Sequence, residues 1–291
     1  MLTNTKVNII KSLNYYDIEI LILLNDHRIA SISKEKLFSI INPSNNHKTE
    51  LQYKFPFDEY IQKLTQLEND NLVLLLYPNI IKIFTLNPIE LINTLHIDSY
   101  SIALNVVTLS HNSFAVSSRD SLIRIWNEPY KETIEMKGHI DEVSYLLYIK
   151  NRELLISSGI DDDKTLRIWN CKTYQSESVI EGLIKNEIVS MIQIDSDIII
   201  IGEGEELYVV NIVKVIIEKN ITIKEELTCS VKFNNIVLLD YNTKQNTKIN
   251  SKWQSSFYKI LPYDNKCFFT YSDTFVTVWE INNITYIIIM Y

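Results

Sequence analysis

Cysteine, glycine and proline are scarce in this 291-residue sequence, which contains only 3, 5 and 6 of them respectively. The cysteines, Cys171, Cys229 and Cys267, are far apart and form no Cys-x-x-Cys pair, so we expect neither a disulfide framework nor a zinc site. Because glycine and proline are few while 46% of the residues are hydrophobic, a collagen-like or disordered chain is excluded. The composition is that of a chain that folds around a sizeable core.

Long apolar segments are also missing from the sequence. No apolar run approaches the roughly 20 residues that are needed to span a bilayer. Residues 1–8 lack the basic segment and the apolar stretch of a secretion signal. We therefore expect no membrane insertion and no secretion, and a location in the cytoplasm or the nucleus.

Positive charge is in deficit. The sequence has 28 Lys and Arg against 36 Asp and Glu, which gives a formal net charge of −8, and arginine occurs at only five positions. Proteins that bind nucleic acids usually carry a basic patch or stripe, and no dense run of basic residues is present. The sequence therefore argues against nucleic acid as a partner.

What the sequence does contain is a recurring signature in which an Asp stands six residues before a Trp. It is found within residues 119–127, 163–170 and 273–280, and the residues between the Asp and the Trp alternate in character. An Asp in a tight turn followed by a period-2 run is typical of a hairpin and its second strand. Several such hairpins at a long fixed period indicate a repeat protein.

The period can be followed through units in which the Trp is replaced by another apolar residue. Ile41, Phe84, Trp126, Trp169 and Val210 stand at equivalent places, 41 to 43 residues apart. One degenerate unit within 221–252 separates them from the unit that ends with Trp279, and its register stays open. The sequence thus predicts seven units of about 40 residues, which end near 42, 85, 127, 170, 211, 252 and 280.

The fourth unit carries the fullest set of features, namely Gly138-His139, Ser157-Ser158-Gly159, Asp163 and Trp169-Asn170. This pattern resembles the WD-repeat β-propeller family, and the resemblance covers nearly the whole chain. It implies an all-β fold in which residues 1–291 form a single closed propeller of about seven four-stranded antiparallel blades. The strand-like runs at 6–13 and 284–291 are expected to close the ring, because an open ring would expose sheet edges.

In the WD-repeat family a His, a Ser or Thr, an Asp and a Trp form a hydrogen-bonded tetrad within a blade. The chemistry is consistent, since an indole only donates, a carboxylate only accepts, and imidazole and hydroxyl groups do both. The resemblance assigns this structural role to His139, Ser158, Asp163 and Trp169 in the fourth unit, to His96, Asp120 and Trp126 in the third, and to Asp273 and Trp279 in the seventh. The third unit departs from the pattern, because Val116 stands where the Ser belongs.

Three motifs also admit a catalytic or ligand-binding interpretation. Residues 161–163 are three consecutive acids that could attract a metal ion, 202–206 resemble a phosphate-binding loop, and His139, Ser158 and Asp163 suggest a hydrolase triad. We favour a polar turn, a hairpin turn and a structural tetrad instead, because the loop has no Lys, no Gly-x-Ser-x-Gly elbow exists, and the tetrad partly recurs in other units. We therefore expect no catalytic residue, no metal and no cofactor.

Acidic and tyrosine residues recur just before successive first strands, at the loops through which propellers of this family mostly bind proteins. They are Asp58, Glu59, Tyr60, Asp98, Tyr100, Asp141 and Glu142. Such a rim suits protein partners that carry Lys or Arg. We expect a non-enzymatic interaction scaffold, for example a recognition subunit of a ubiquitin-ligase complex, with no small-molecule substrate. The alternatives are a propeller-type enzyme with a site at the central channel, or a degenerate paralogue without a specific partner.

Overall fold

The computed structural model describes the backbone of residues 7–14, 18–42, 48–56, 60–98, 101–183, 185, 188–222, 226–233, 236–242, 259–262, 267–271, 275–281 and 288–290. It describes side chains for residues 20–42, 53–56, 60–98, 101–183, 185 and 188–222. Within these ranges every regular element is a β-strand, and no helix is present that is long and apolar enough to cross a membrane.

The strands follow one another at short intervals along the chain. The first thirteen are β1 (Val7–Asn14), β2 (Ile18–Leu23), β3 (Ile29–Ser33), β4 (Leu37–Asn42), β5 (Lys48–Lys54), β6 (Tyr60–Gln66), β7 (Leu72–Tyr77), β8 (Ile80–Leu86), β9 (Ile89–His96), β10 (Ala103–Thr108), β11 (Phe114–Ser118), β12 (Ile123–Trp126) and β13 (Thr133–Met136). The others are β14 (Val143–Ile149), β15 (Leu154–Gly159), β16 (Thr165–Asn170), β17 (Ser176–Glu181), β18 (Ser190–Gln193), β19 (Ile198–Glu203), β20 (Glu206–Asn211), β21 (Ile216–Thr222), β22 (Glu226–Phe233), β23 (Ile236–Asn242), β24 (Lys259–Pro262), β25 (Cys267–Tyr271), β26 (Phe275–Ile281) and β27 (Ile288–Met290).

Consecutive strands pair into separate small sheets. The first five sheets are four-stranded and antiparallel, and they consist of β2–β5, β6–β9, β10–β13, β14–β17 and β18–β21 in sequence order. Their third strands end at Asn42, Leu86, Trp126, Asn170 and Asn211, beside the unit ends expected at 42, 85, 127, 170 and 211. The unit end expected near 252 lies outside the described residues.

Apolar side chains fill the space between successive sheets, as β7 shows. Leu72, Leu74 and Leu76 join a cluster shared with the first sheet, while Val73 and Leu75 join a cluster shared with the third sheet. Because side chains alternate along a strand, a run that is apolar at every position is buried on both faces. Burial of each such side chain contributes about 1.5–3 kcal/mol. This explains why the middle strands are continuous apolar runs.

The two ends of the chain join different sheets. β1 pairs antiparallel with β26 and completes the seventh sheet, whose order is β1-β26-β25-β24. The C-terminal run was expected to close the ring as well, but β27 lies in the sixth sheet, where it pairs parallel with β23. It therefore departs from the antiparallel pattern. The physical reason is that β23 offers an edge with unpaired N–H and C=O groups, which β27 satisfies.

Candidate interaction site and its supporting hydrogen-bond network

The fourth sheet contains a buried polar cluster that four segments of the chain bring together. His139 lies in the link before β14, Ser157 on β15, Asp163 in the turn between β15 and β16, and Trp169 on β16. His139 Nδ1 is 3.0 Å from Asp163 Oδ1, and His139 Nε2 is 2.6 Å from Ser157 Oγ. Trp169 Nε1 donates to Ser157 Oγ at 2.7 Å. We call these four residues the tetrad.

The donors and acceptors of the tetrad fit together in one direction only. The indole N–H of Trp169 must donate, so Ser157 Oγ accepts from it. The Ser157 hydroxyl then donates its own hydrogen bond to His139 Nε2. Nδ1 of His139 then carries the ring proton and donates to the carboxylate of Asp163. A neutral imidazole satisfies every partner, which buried polar groups require.

Burial and hydrogen bonding set the charge states of the tetrad. Burial disfavours the imidazolium and lowers the pKa of His139, although Asp163 acts in the opposite direction. Burial alone would raise the pKa of Asp163, but hydrogen bonds from Thr165, the Ile140 N–H and His139 hold it below its usual range. The Ile140 N–H lies 2.6 Å from Oδ2, and the Thr165 N–H lies 3.0 Å from Oδ1. The cluster therefore consists of an ionised Asp163 and a neutral His139.

Two glycines leave the space that the tetrad needs. A Cβ atom added at Gly159 would lie 2.2 Å from Asp163 Oδ1, a distance at which the atoms overlap. A Cβ atom at Gly138 would lie 3.0 Å from Cη2 of Trp169. Close approach, rather than turn geometry, therefore explains why glycine stands at both places in a sequence that contains so few.

The serine of the tetrad is Ser157, and the prediction of Ser158 was wrong. Ser158 points to the other face of the strand, where its Oγ lies 3.1 Å from Ser144 Oγ. The register explains the error: Ser157 pairs with Arg167 as Val116 pairs with Arg124. The segment between these paired residues, which contains the turn from the second strand to the third, is thus two residues longer in the fourth sheet than in the third. The sequence interpretation allowed for only one extra residue.

The third sheet does not assemble the residues that the resemblance assigned to it. His96 ends β9 with an exposed side chain, so its assignment to a tetrad was wrong. Asp120 is instead bound by Arg124, whose Nη2 lies 2.7 Å from Oδ2, and its other oxygen accepts from Ser118 at 2.5 Å. Trp126 is buried and stacks on Phe114 with ring centroids 5.4 Å apart. An arginine on the adjacent strand therefore takes the place of the histidine beside Asp120.

In the seventh unit, Asp273 lies outside the described residues. Trp279 lies on β26, opposite Ile9 of β1 and Phe268 of β25, and only its backbone is described. Its assignment to a tetrad stays a prediction.

The tetrad is built for support and not for chemistry. Ser157 is fully buried, and its Oγ is bonded on one side to Trp169 and on the other to His139. A nucleophile needs exposure to a substrate and a neighbouring oxyanion site. The triad interpretation therefore has no support in this geometry.

The charge states of the tetrad predict that acid destabilises the protein through His139. The folded-state pKa of His139 lies below the ordinary 6.5, so between these two values the unfolded chain binds more protons than the folded chain. This contribution to stability is complete above about pH 6.5 and is lost as the pH falls below it. We expect the midpoint of urea unfolding to fall less steeply from about pH 7 to pH 5 in His139→Gln than in the parent protein. His111→Gln, at an exposed site, should keep the parent slope, and equal slopes for all three proteins would contradict the prediction.

The fold and this repeat match known proteins. The family model described as "WD domain, G-beta repeat" matches residues 130–170, which include the whole tetrad. The fold is similar to that of a chain in the crystal structure of the mitotic checkpoint complex, with a TM-score of 0.79 and 12% sequence identity over 96% of this chain and 94% of that one. The chain therefore resembles the WD-repeat family, and residues 130–170 match one repeat of that family.

One curated relative is similar to part of this chain. A stretch of 59 residues, 20% of the chain, is 39% identical to the ubiquitin homeostasis protein lub1 of Schizosaccharomyces pombe (strain 972 / ATCC 24843). The match covers only 8% of the length of that relative.

The described rim residues, Tyr60, Asp98, Asp141 and Glu142, lie at the edge of the sheets where first strands begin and second strands end. A backbone hydrogen bond joins two neighbouring sheets along this edge, because the Ala103 N–H donates to the Pro78 carbonyl at 2.9 Å. Tyr60 is 45% exposed, and Asp98 is also exposed. Asp58, Glu59 and Tyr100 lie outside the described residues.

The two acids before β14 are engaged within the protein. Glu142 pairs with Arg119, with 3.1 Å between Oε1 and Nε. Asp141 accepts backbone N–H groups with both carboxylate oxygens, from Glu142 at 2.8 Å and from Asp162 at 3.2 Å. The negative charges of Glu142 and Asp141 therefore serve first to fix the loops at this edge.

Other exposed side chains at this edge escaped the sequence interpretation. Ile140 is 74% exposed directly after the tetrad histidine, and Tyr77 is 46% exposed opposite Tyr60 on the neighbouring strand. The side chain of Arg119 is 53% exposed. Tyr77 ends an otherwise apolar run that reads as a buried strand, and Ile140 gave no signal because a lone apolar residue in a loop has no period.

Proposed function

We propose that this WD-repeat protein is a non-enzymatic scaffold for protein–protein interaction. In this proposal residues 1–291 form one closed ring of seven sheets that works in the cytoplasm. The observation that carries it is the rim, where the exposed side chains of Tyr60, Tyr77, Arg119 and Ile140 lie along one edge of neighbouring sheets. Tyrosine and arginine are enriched among the residues that dominate binding energy at protein interfaces.

The internal polar groups support a scaffold more than an enzyme. Along the first strands, which contact one another in succession, polar side chains bond to each other. Lys63 Nζ lies 2.5 Å from Asn105 Oδ1, and the hydroxyls of Thr65 and Thr108 are 2.8 Å apart. Groups that are held in this way stiffen the ring and are not poised for proton transfer.

The rim favours partners that use both apolar and polar contacts. Glu142 is paired with Arg119 and Asp141 fixes the neighbouring loop, so these two acids are already engaged within the protein. We therefore propose that tyrosine rings and Ile140 supply most of the contact area, and that the charged groups set orientation. The finer proposal is a partner in a ubiquitin-related assembly, which is supported by the 59-residue similarity to the ubiquitin homeostasis protein lub1.

Comparative affinity purification tests this function. We expect the tagged protein to recover a reproducible set of protein partners, and the double variant Tyr77→Ala/Ile140→Ser to lose them. The matched control is Leu91→Ser/Ile92→Ser, which changes two exposed apolar side chains on the outer strand β9. Surface changes of this kind usually alter stability by no more than about 0.5 kcal/mol, so both variants should stay folded. If quantitative mass spectrometry found equal recovery of the partners with both double variants, the rim would not be the interaction surface.

A further inference from the structure

A cavity of about 430 Å³ opens between the third and fourth sheets, at the edge opposite the rim. It is lined by the loops that follow β10, β12, β14 and β16, whereas the rim consists of loops at the other ends of these strands. Its volume lies within the range of pockets that hold a small ligand or a large side chain. The site is therefore distinct from the surface proposed for scaffold function.

The inner part of this cavity is apolar and its walls are aromatic. Leu109 and Ile125 are almost fully buried, and Tyr148 and Tyr174 are half-buried beside them. The Tyr148 hydroxyl is fixed at 2.8 Å from Ser110 Oγ, so its ring is held in place. Such a lining fits the methylene stem of a long side chain.

Lys172, Glu153 and Cys171 also line the cavity, and together they carry no net charge. Lys172 Nζ and Glu153 Oε2 form an ion pair at 2.7 Å. Burial raises the pKa of the Cys171 thiol to about 12, with a smaller contribution from Glu153, so the sulfur is a neutral part of the lining. Neither the ion pair of Lys172 and Glu153 nor the thiol of Cys171 therefore presents a net charge to a ligand.

Glu128 at the mouth of the cavity differs from these groups because its charge is not compensated. Its Oε2 accepts a hydrogen bond from the neutral amide of Asn112 at 2.9 Å. Among the described lysine and arginine residues, none forms an ion pair with it. An exposed carboxylate therefore stands over an apolar, aromatic-walled cavity.

We propose that this cavity binds a basic side chain, arginine or lysine, presented by another polypeptide. The stem packs between Tyr148, Tyr174 and the apolar inner lining, and the cationic group reaches the carboxylate of Glu128. An aliphatic side chain would fill the same space but leave Glu128 without a partner, and an acidic or phosphorylated one would be repelled. The combination of cavity, aromatic walls and uncompensated carboxylate selects a cation with a long apolar stem.

Methyl NMR titration with small probes tests the proposal. The probe is Nα-acetyl-arginine amide, and the signals are the methyl groups of Leu109 and Ile125 in the cavity, with Ile140 at the rim as an internal control. We expect the two cavity methyls to shift with a dissociation constant of about 1 mM, which is reasonable for a ligand of this size. Nα-acetyl-citrulline amide, which has nearly the same shape and no charge, should bind about tenfold more weakly.

Glu128→Gln supplies the matched protein variant, since glutamine can still accept from Asn112. It should weaken binding of the arginine probe about tenfold, while Glu132→Gln, which removes the same charge from an exposed site outside the cavity, should leave it unchanged. Equal binding of Nα-acetyl-leucine amide, an unchanged affinity in Glu128→Gln, or no shift of the cavity methyls would overturn the proposal. None of these outcomes bears on partner binding at the rim.

Discussion

Trp169→Ala is expected to lower the free energy of unfolding by about 3–5 kcal/mol, the usual cost of deleting a buried tryptophan. Trp169 is 1% exposed and packs in the cluster between the third and fourth sheets. The substitution opens a cavity there and leaves Ser157 Oγ without its donor. Urea unfolding, followed by circular dichroism, measures the loss.

Trp169→Phe separates the two causes of this loss. The phenyl ring fills most of the space but donates no hydrogen bond, so we expect a loss of about 1–3 kcal/mol. Trp126→Ala is the matched control, because Trp126 is equally buried and stacks on Phe114. A Trp169→Ala variant as stable as the parent protein would show that the tetrad does not support the sheet.

Asp163→Ala is expected to destabilise the protein by about 3 kcal/mol or more, whereas the neighbouring Asp162→Ala should cost no more than about 0.5 kcal/mol. Asp163 accepts from His139, from the Ile140 N–H, and from both the N–H and the hydroxyl of Thr165. Without it these donors, of which His139 is buried and the others are partly buried, lose this acceptor. Asp162 is exposed, and the hydrogen bond to Asp141 comes from its backbone N–H, which the substitution keeps.

The two aspartate variants are compared by their midpoints of chemical denaturation. Equal midpoints for Asp163→Ala and Asp162→Ala would mean that the carboxylate of Asp163 does not hold the link before β14. Thr165→Val provides a graded test, since it removes one donor to Asp163 and keeps the other. We expect it to fall between the two aspartate variants.

The sheets could be predicted from the sequence because their signals are local. A period-2 run after a polar turn specifies a strand, and the spacing between Asp and Trp repeats along the chain. The all-β fold and the resemblance to the WD-repeat family are confirmed by the structure and by the match of residues 130–170. The parallel pairing of β27 could not be predicted, since the sequence of a strand does not indicate which free sheet edge it will cover.

The polar clusters were harder to predict because they depend on turn length and on partners from other strands. A difference of one residue in the connection before Arg167 decides between Ser157 and Ser158, which face opposite sides of β15. His96 stands 24 residues before Asp120, the same spacing as His139 before Asp163, yet it falls on an exposed outer strand. The Arg124 that binds Asp120 had no precedent in the family pattern. The strand and the strand face on which each residue falls, and not residue type, were the missing information.

The pairing of β1 with β26 determines when the seventh sheet can be completed during synthesis of the protein. Val7 leaves the ribosome long before its partner strand, which begins at Phe275. At a synthesis rate of about 5–20 residues per second, the first strand waits roughly ten to fifty seconds for its place in the seventh sheet. Throughout that time five complete sheets can form beside it, while β1 remains an unsatisfied edge available to other nascent chains or to a chaperone.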